Sequence, residues 1–197
     1  LPAKIYPDAA ARRAIASTIE DSIGQLPGVE RIAFSSGVPP GGGGIHFGDD
    51  WLPDGPDARP VSLVASSYNV GDDFFQLYGI PLLRGRTFQP GDGPERVIVG
   101  ERMAAALWPG QDPVGRSFRR GKEQLEVIGL VREITFPSLE ANRDRAEFYR
   151  PFVPGGGNLW LNLACRARCP DEAAVRKQIL SVVPGANIAS VYLLSEQ

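Results

Sequence analysis

Side chains able to do chemistry are few in this chain and poorly spaced for acting together. The single histidine, His46, sits in the run Gly-Gly-Gly-Gly-Ile-His-Phe-Gly. A metal centre wants three or four ligands at recognisable spacing, so a lone histidine there reads as a loop residue. The glycines at 41–44 are not followed by the Gly-Lys-Ser/Thr ending with which a phosphate loop opens a helix. Those at 155–157 lack it too. Ser35, Ser36, Ser62, Ser66 and Ser67 need a base in reach, and no Gly-x-Ser-x-Gly elbow occurs. Asp49-Asp50 lacks the ligand spacing of a calcium loop, and Asp72-Asp73 reads as a helix start, with Asp72 as the cap. No catalytic residue, bound cofactor or metal site is expected.

Two further groups carry open alternatives. Cys165 and Cys169 lie roughly 13 Å apart if the strand stays extended, too far for a bridge. A turn at Arg166-Ala167-Arg168 would bring them together, and a bridge would suit an oxidising compartment. Ile45, Phe47 and Trp51 stand in a stretch rich in glycine and proline. They are candidates for a partner-docking loop, unless the loop folds back and buries them.

Composition sets the frame for these residues. With 43% apolar and 22% charged residues, 197 residues suffice for one large domain or two small lobes with a packed core. A net charge of −2, without a basic stripe, leaves nucleic-acid binding unsupported. No apolar run approaches the ~20 residues of a membrane helix and no signal segment opens the chain, so any anchors are expected outside it.

Periodicity predicts the elements that position everything else. Ala11, Ile15, Ile19, Ile23 and Leu26 mark a helix over 8–26, stopped by Pro27-Gly28 before a strand over 30–35. The same grammar returns with a helix opened by Pro170-Asp171-Glu172, a stop at Pro184-Gly185 and a strand over 187–194. A half-buried strand over 159–165 precedes it. Two β-α-β units in one sheet with two helices on one face, a ferredoxin-like α+β arrangement, is the simplest model, its opening strand at 4–6 or upstream. Between the halves come a strand over 61–70, a short helix ending at Gly79, a strand over 96–99, a helix over 101–107 and strands over 116–119 and 125–134. These predict a second, mixed α/β lobe over 86–135, inserted in a lobe made of 1–85 and 136–197.

One ordered set of motifs in the middle of the chain is specific. Tyr68-Asn69-Val70-Gly71-Asp72-Asp73-Phe74-Phe75 leads to Tyr78-Gly79-Ile80-Pro81-Leu82-Leu83-Arg84-Gly85-Arg86-Thr87-Phe88. Leu26-Pro27-Gly28-Val29, Val38-Pro39, Val97-Ile98-Val99, Asp112-Pro113-Val114-Gly115-Arg116, Val127-Ile128-Gly129-Leu130-Val131 and Tyr149-Arg150-Pro151 fall in matching order around it. This pattern resembles the MacB-like periplasmic core domain of ABC-transporter permeases of the MacB/FtsX type. Within that family it is most similar to the duplicated orphan permeases of Acidobacteria. The glycine run at 41–44, the two cysteines and Asn69 depart from the pattern.

The resemblance implies a porter-like lobe carrying an inserted Sabre-like lobe, placed outside the bacterial inner membrane between the first two transmembrane helices. Gly85 and Arg86 would mark the hinge-like crossing into the second lobe, and Gly129 would lie on the way back. ATP would be hydrolysed at a separate cytoplasmic protein or domain. This domain would pass the motion to a periplasmic protein, lipid or peptide without catalysis of its own, within a parent that can be dimeric. The competing expectation is a receptor module that holds a small or lipidic ligand between its lobes.

Overall fold

Aspartates begin both longer helices. In the computed structural model, which describes residues 8–37, 45–56, 58–133, 145–153 and 159–188, Asp8 accepts the Ala11 N–H at 2.6 Å and starts α1 (Ala9–Gly24). Asp171 accepts the Ala174 N–H at 2.8 Å and starts α4 (Glu172–Val182). Each carboxylate satisfies an N–H that the first helical turn leaves without an internal partner. Between them run β1 (Val29–Ser35), β2 (Ile45–Pro53), β3 (Val61–Val70), α2 (Phe74–Leu77), β4 (Leu82–Gly85), β5 (Arg96–Gly100), α3 (Glu101–Leu107), β6 (Ser117–Arg120), β7 (Glu123–Val131), β8 (Ala146–Pro151) and β9 (Trp160–Cys165).

These elements gather into two compact units, one of Leu1–Phe34 with Val153–Gln197 and one of Ser35–Phe152. The first holds α1 and α4 side by side, with β1 next to β9. Ala16, Ile19 and Ile23 form the buried stripe of α1, at the spacing one helical face requires. Gln178 ties the helices together, its Nε2 donating to Ser22 O at 3.2 Å and Ser22 Oγ at 2.7 Å. The buried position of β9 is Asn162, which donates to the Ala33 carbonyl at 2.9 Å, while Leu161 and Leu163 are half-buried. The expected strand at 4–6 lies outside the described residues, as does all but the start of 187–194, where Asn187 and Ile188 are not in strand.

The second unit is a closed barrel. Its strands follow the order β2-β6-β7-β5-β8-β3, and β3 returns to pair with β2. β3–β8 and β5–β7 run parallel, and the other pairs in the ring run antiparallel. Inward positions of successive strands supply Trp51, Ala65, Val97, Val99, Phe118, Leu125, Val127, Ala146 and Phe148, all in one buried cluster. Helix α3 adds Met103, Ala104, Leu107 and Trp108 to it, so the interior is filled rather than hollow. A second aromatic layer coats the outside of β3 and β8. Phe75 meets Tyr149 edge-on at 5.0 Å, and Tyr68 stacks on Tyr149 at 5.9 Å.

The barrel moves the lobe boundaries away from 86 and 135. β2 and β3, expected in the first lobe, pair along seven registered positions from Ile45↔Ser67 to Trp51↔Val61, and β3 and β8 then complete the ring. Sequence reading missed β2 because Gly48 and Pro53 argue for a loop. Hydrogen bonding on both edges overrides that preference.

Candidate functional site

The proposed docking residues belong to a strand. Trp51 is fully buried, and its indole Nε1 donates to the Leu63 carbonyl at 3.1 Å. It packs 5.5 Å from Phe148 and 5.7 Å from Phe118. Phe47 is half-buried against the same cluster and carries the Arg120 guanidinium 3.6 Å above its ring. The docking role is therefore corrected for Trp51, whose apolar surface is used inside the barrel, while Phe47 keeps part of its surface exposed. Ile45 pairs through its backbone with Ser67, and its side chain lies outside the described residues. The same is true of His46, opposite Ser66.

Gly85, Arg86 and Gly129 are brought together within one unit. Gly85 and Gly129 are Cα partners across β4 and β7. Gly85 takes φ +74°, and a Cβ there would stand 2.2 Å from the Ile128 carbonyl oxygen. A Cβ on Gly129 would stand 2.5 Å from the Arg86 carbonyl oxygen. Both positions need glycine because two backbones touch. The crossings between the compact units fall after Phe34 and Phe152, so the expected lobe crossing is not at these three residues.

Arg86 instead clamps the turn that follows. Its guanidinium grips Asp92 with two bonds of 2.7 and 2.8 Å, and Asp92 also accepts the Gln89 N–H at 2.9 Å. The bond from Arg86, with help from the Gln89 amide, holds the Asp92 carboxyl down at about 2 against the penalty of burial. Asp72 does not cap α2. The N-cap position belongs to Asp73, which makes no side-chain capping bond. Burial raises the Asp72 carboxyl above its ordinary value, with Asp73 adding like charge.

The cysteines are bridged, with Cα atoms 5.3 Å apart. The turn is seated by Gly28 at φ +89°, where a Cβ would lie 2.4 Å from the Arg168 carbonyl oxygen, and by the Arg166 N–H donating to the Gly28 carbonyl at 3.0 Å. Gly28, Val29, Glu30, Arg31 and Arg166 line an open groove of about 600 Å³. An Arg166–Glu30 ion pair of 2.9 Å joins two of its walls. Its lining is mostly polar and charged, with Val29 the one apolar side chain, which is not the character of a small-molecule site.

The most perturbed ionisable groups lie on the outer wall of the barrel, where sequence reading marked none. Glu147 is 7% exposed and accepts the Tyr149 hydroxyl at 2.8 Å. Burial pushes its carboxyl up to about 7. Tyr149 is raised well above its ordinary range by burial and the neighbouring carboxylate, and Tyr68 is pushed up to about 12 mainly by burial. Near them Glu133 accepts the Arg102 N–H at 3.1 Å and pairs with its guanidinium at 2.9 Å. The only signal in the sequence is a glutamate flanked by Ala146 and by Phe148-Tyr149. Among the described residues, no three metal-ligating side chains come together, and no helix is long and apolar enough to cross a membrane.

Comparison with known proteins gives this architecture a family. The model of the MacB-like periplasmic core domain matches residues 4–189. The Macrolide export ATP-binding/permease protein MacB of Neisseria gonorrhoeae is 32% identical over 78 residues, 38% of this chain. MacB 2 of Aeromonas hydrophila is 34% identical over 80 residues, 39% of this chain. Each match covers 12% of the relative's length. The periplasmic region of MacB from Actinobacillus actinomycetemcomitans has a similar fold. It gives a TM-score of 0.53 at 15% identity, over 84% of this chain and 71% of that one. The extracellular domain of the ABC-type transporter YknZ gives 0.50 at 16% identity, over 82% and 76%. With nearly its whole length matched and its mixed α+β fold shared, the chain belongs to the MacB-like periplasmic core domain family.

Proposed function

We propose that this chain is the extracytoplasmic domain of an ABC-transporter permease and that it transmits ATP-driven motion to a periplasmic protein, lipid or peptide. The observation that carries the reading is the family match over residues 4–189. In this reading the domain is non-catalytic, and pairs such as Arg86–Asp92 and Arg166–Glu30 serve its structure. ATP would be used at a separate cytoplasmic protein or domain, reached through the transmembrane part of a dimeric parent. A porter-like unit joined to the membrane helices and a barrel inserted in it would be the two moving parts, with the chain passing between them near residues 34–35 and 152–153. The filled interior of the barrel disfavours a ligand held there.

The parental reading frame tests the first part. An apolar helix of about 20 residues shortly upstream and several more downstream are expected. A secretion signal and a stop codon instead would overturn the assignment and favour a free ligand-binding protein. Hydrogen exchange on the purified parent tests the second part. ATP turnover should alter protection around 34–35 and 152–153, and unchanged protection there would remove the motion-transmitting role.

A further inference from the structure

We propose that Glu147 is a proton-operated latch, with the barrel wall and α3 held together best while this carboxyl is neutral and loosened when it ionises. The inference rests on the interior of the second unit alone. Glu147 lies on the outer face of β8, opposite Ser66 in the register with β3. It is 7% exposed, and its hydrogen-bond donor is the neutral phenol of Tyr149 at 2.8 Å. A buried carboxylate ordinarily needs a cation or several N–H donors.

The charged neighbours supply little of this: Arg102 favours the Glu147 carboxylate from α3, against the like charge of Glu133. From β3 comes Tyr68, and from β8 itself Tyr149, both held in their neutral forms by burial. Beyond β7 stands Glu133, a like charge, with Glu101 of α3 acting on Glu133 in turn. Arg102 of α3 is the nearby cation, and it is already engaged with Glu133 through its guanidinium and its backbone N–H. Arg145, one residue before β8, acts on Tyr68. Space is short as well. A Cβ on Gly100 would lie 2.9 Å from Glu133 Cγ and 3.4 Å from the Glu147 carbonyl oxygen. An ionised Glu147 thus competes with Glu133 for Arg102, and Arg102 sits in the first turn of the helix that fills the barrel.

The direction follows from linkage. The folded-state affinity for the proton exceeds the unfolded one, so the stabilisation is complete below about pH 4.5 and lost as pH rises through about 7. The test is denaturant unfolding of the whole chain from pH 4.5 to 8.5, for wild type and Glu147→Gln. The unfolding constant of wild type relative to the variant should rise by up to about 300-fold across that range, as expected for a carboxyl at about 7 folded and 4.5 unfolded. Amide exchange of residues 101–107 should loosen at pH 8 in wild type and not in the variant. Tyr149→Phe, which removes the donor to the carboxylate, should move the midpoint upward. Parallel stability curves for wild type and Glu147→Gln would overturn the proposal. If Glu147→Gln does not fold, carbon-13 carboxyl titration of wild type decides, a midpoint above 6 supporting the latch and one near 4.5 overturning it.

Discussion

Gly85 and Gly129 meet where no side chain fits, and this makes single residues decisive. Gly85→Ala forces both a left-handed backbone and a methyl within 2.2 Å of a carbonyl oxygen. A loss of about 3–5 kcal/mol by denaturant unfolding is expected. Next to it, Arg86→Ala should cost about 1–2 kcal/mol, because Arg86 is one-third exposed and its pair is partly screened. Asp92 is held below its unfolded value, so its contribution is present above about pH 4 and disappears as pH falls towards 2. Acid titration of stability should therefore be flatter in Asp92→Asn between pH 4 and pH 2 than in wild type. Glu147 acts in the opposite direction, so the contributions of these two residues are both complete only near pH 4 to 4.5.

Elements decide what those residues are for, and β2 is the clearest case. If Trp51 served docking, its removal would leave folding untouched. As a wall of the barrel, Trp51→Ala should lose about 3–5 kcal/mol. Thermal unfolding of the variant separates the two roles. The Cys165–Cys169 bridge closes a short loop beside β9 and α4. Replacing both cysteines by serine should cost about 2 kcal/mol by loop entropy, read as lower protection in α4 with the barrel unaffected. Elements with strong local codes were legible in the sequence: α1, α4, α3 and β3 fall at or within two residues of their expected positions. β2, β4 and β8 were not, because Gly48, Pro53, Gly85 and Pro151 carry turn signals that only tertiary pairing overrules. The perturbed cluster at Glu147 was hidden for a similar reason. Its burial arises from chains far apart in sequence, β3 with β8 and α3 with the end of β7.

At the scale of the whole molecule, a ring that supplies its own core should stand by itself. A fragment of residues 35–152 is expected to unfold in one cooperative transition, with Trp51 and Trp108 shielded from a soluble quencher. A fragment that exposes its tryptophans would show that the barrel depends on the remaining chain. The closed ring also has a consequence for how the protein comes into being. β3 must find β8 some eighty positions later, with Ala65 opposite Ala146, before any circuit is complete. Pairings that distant slow folding, because the intervening chain must be confined before contacts reward it. The first unit waits longer still, since α1 finds α4 only after the entire barrel sequence has passed. A chain emerging N-terminus first thus exposes β2 and β3 as a bare hairpin until β6 arrives, and leaves the far edge of β3 open until residue 151. During that interval it would rely on chaperones of its compartment, and variants that delay closure should be lost to proteolysis before they are lost to instability.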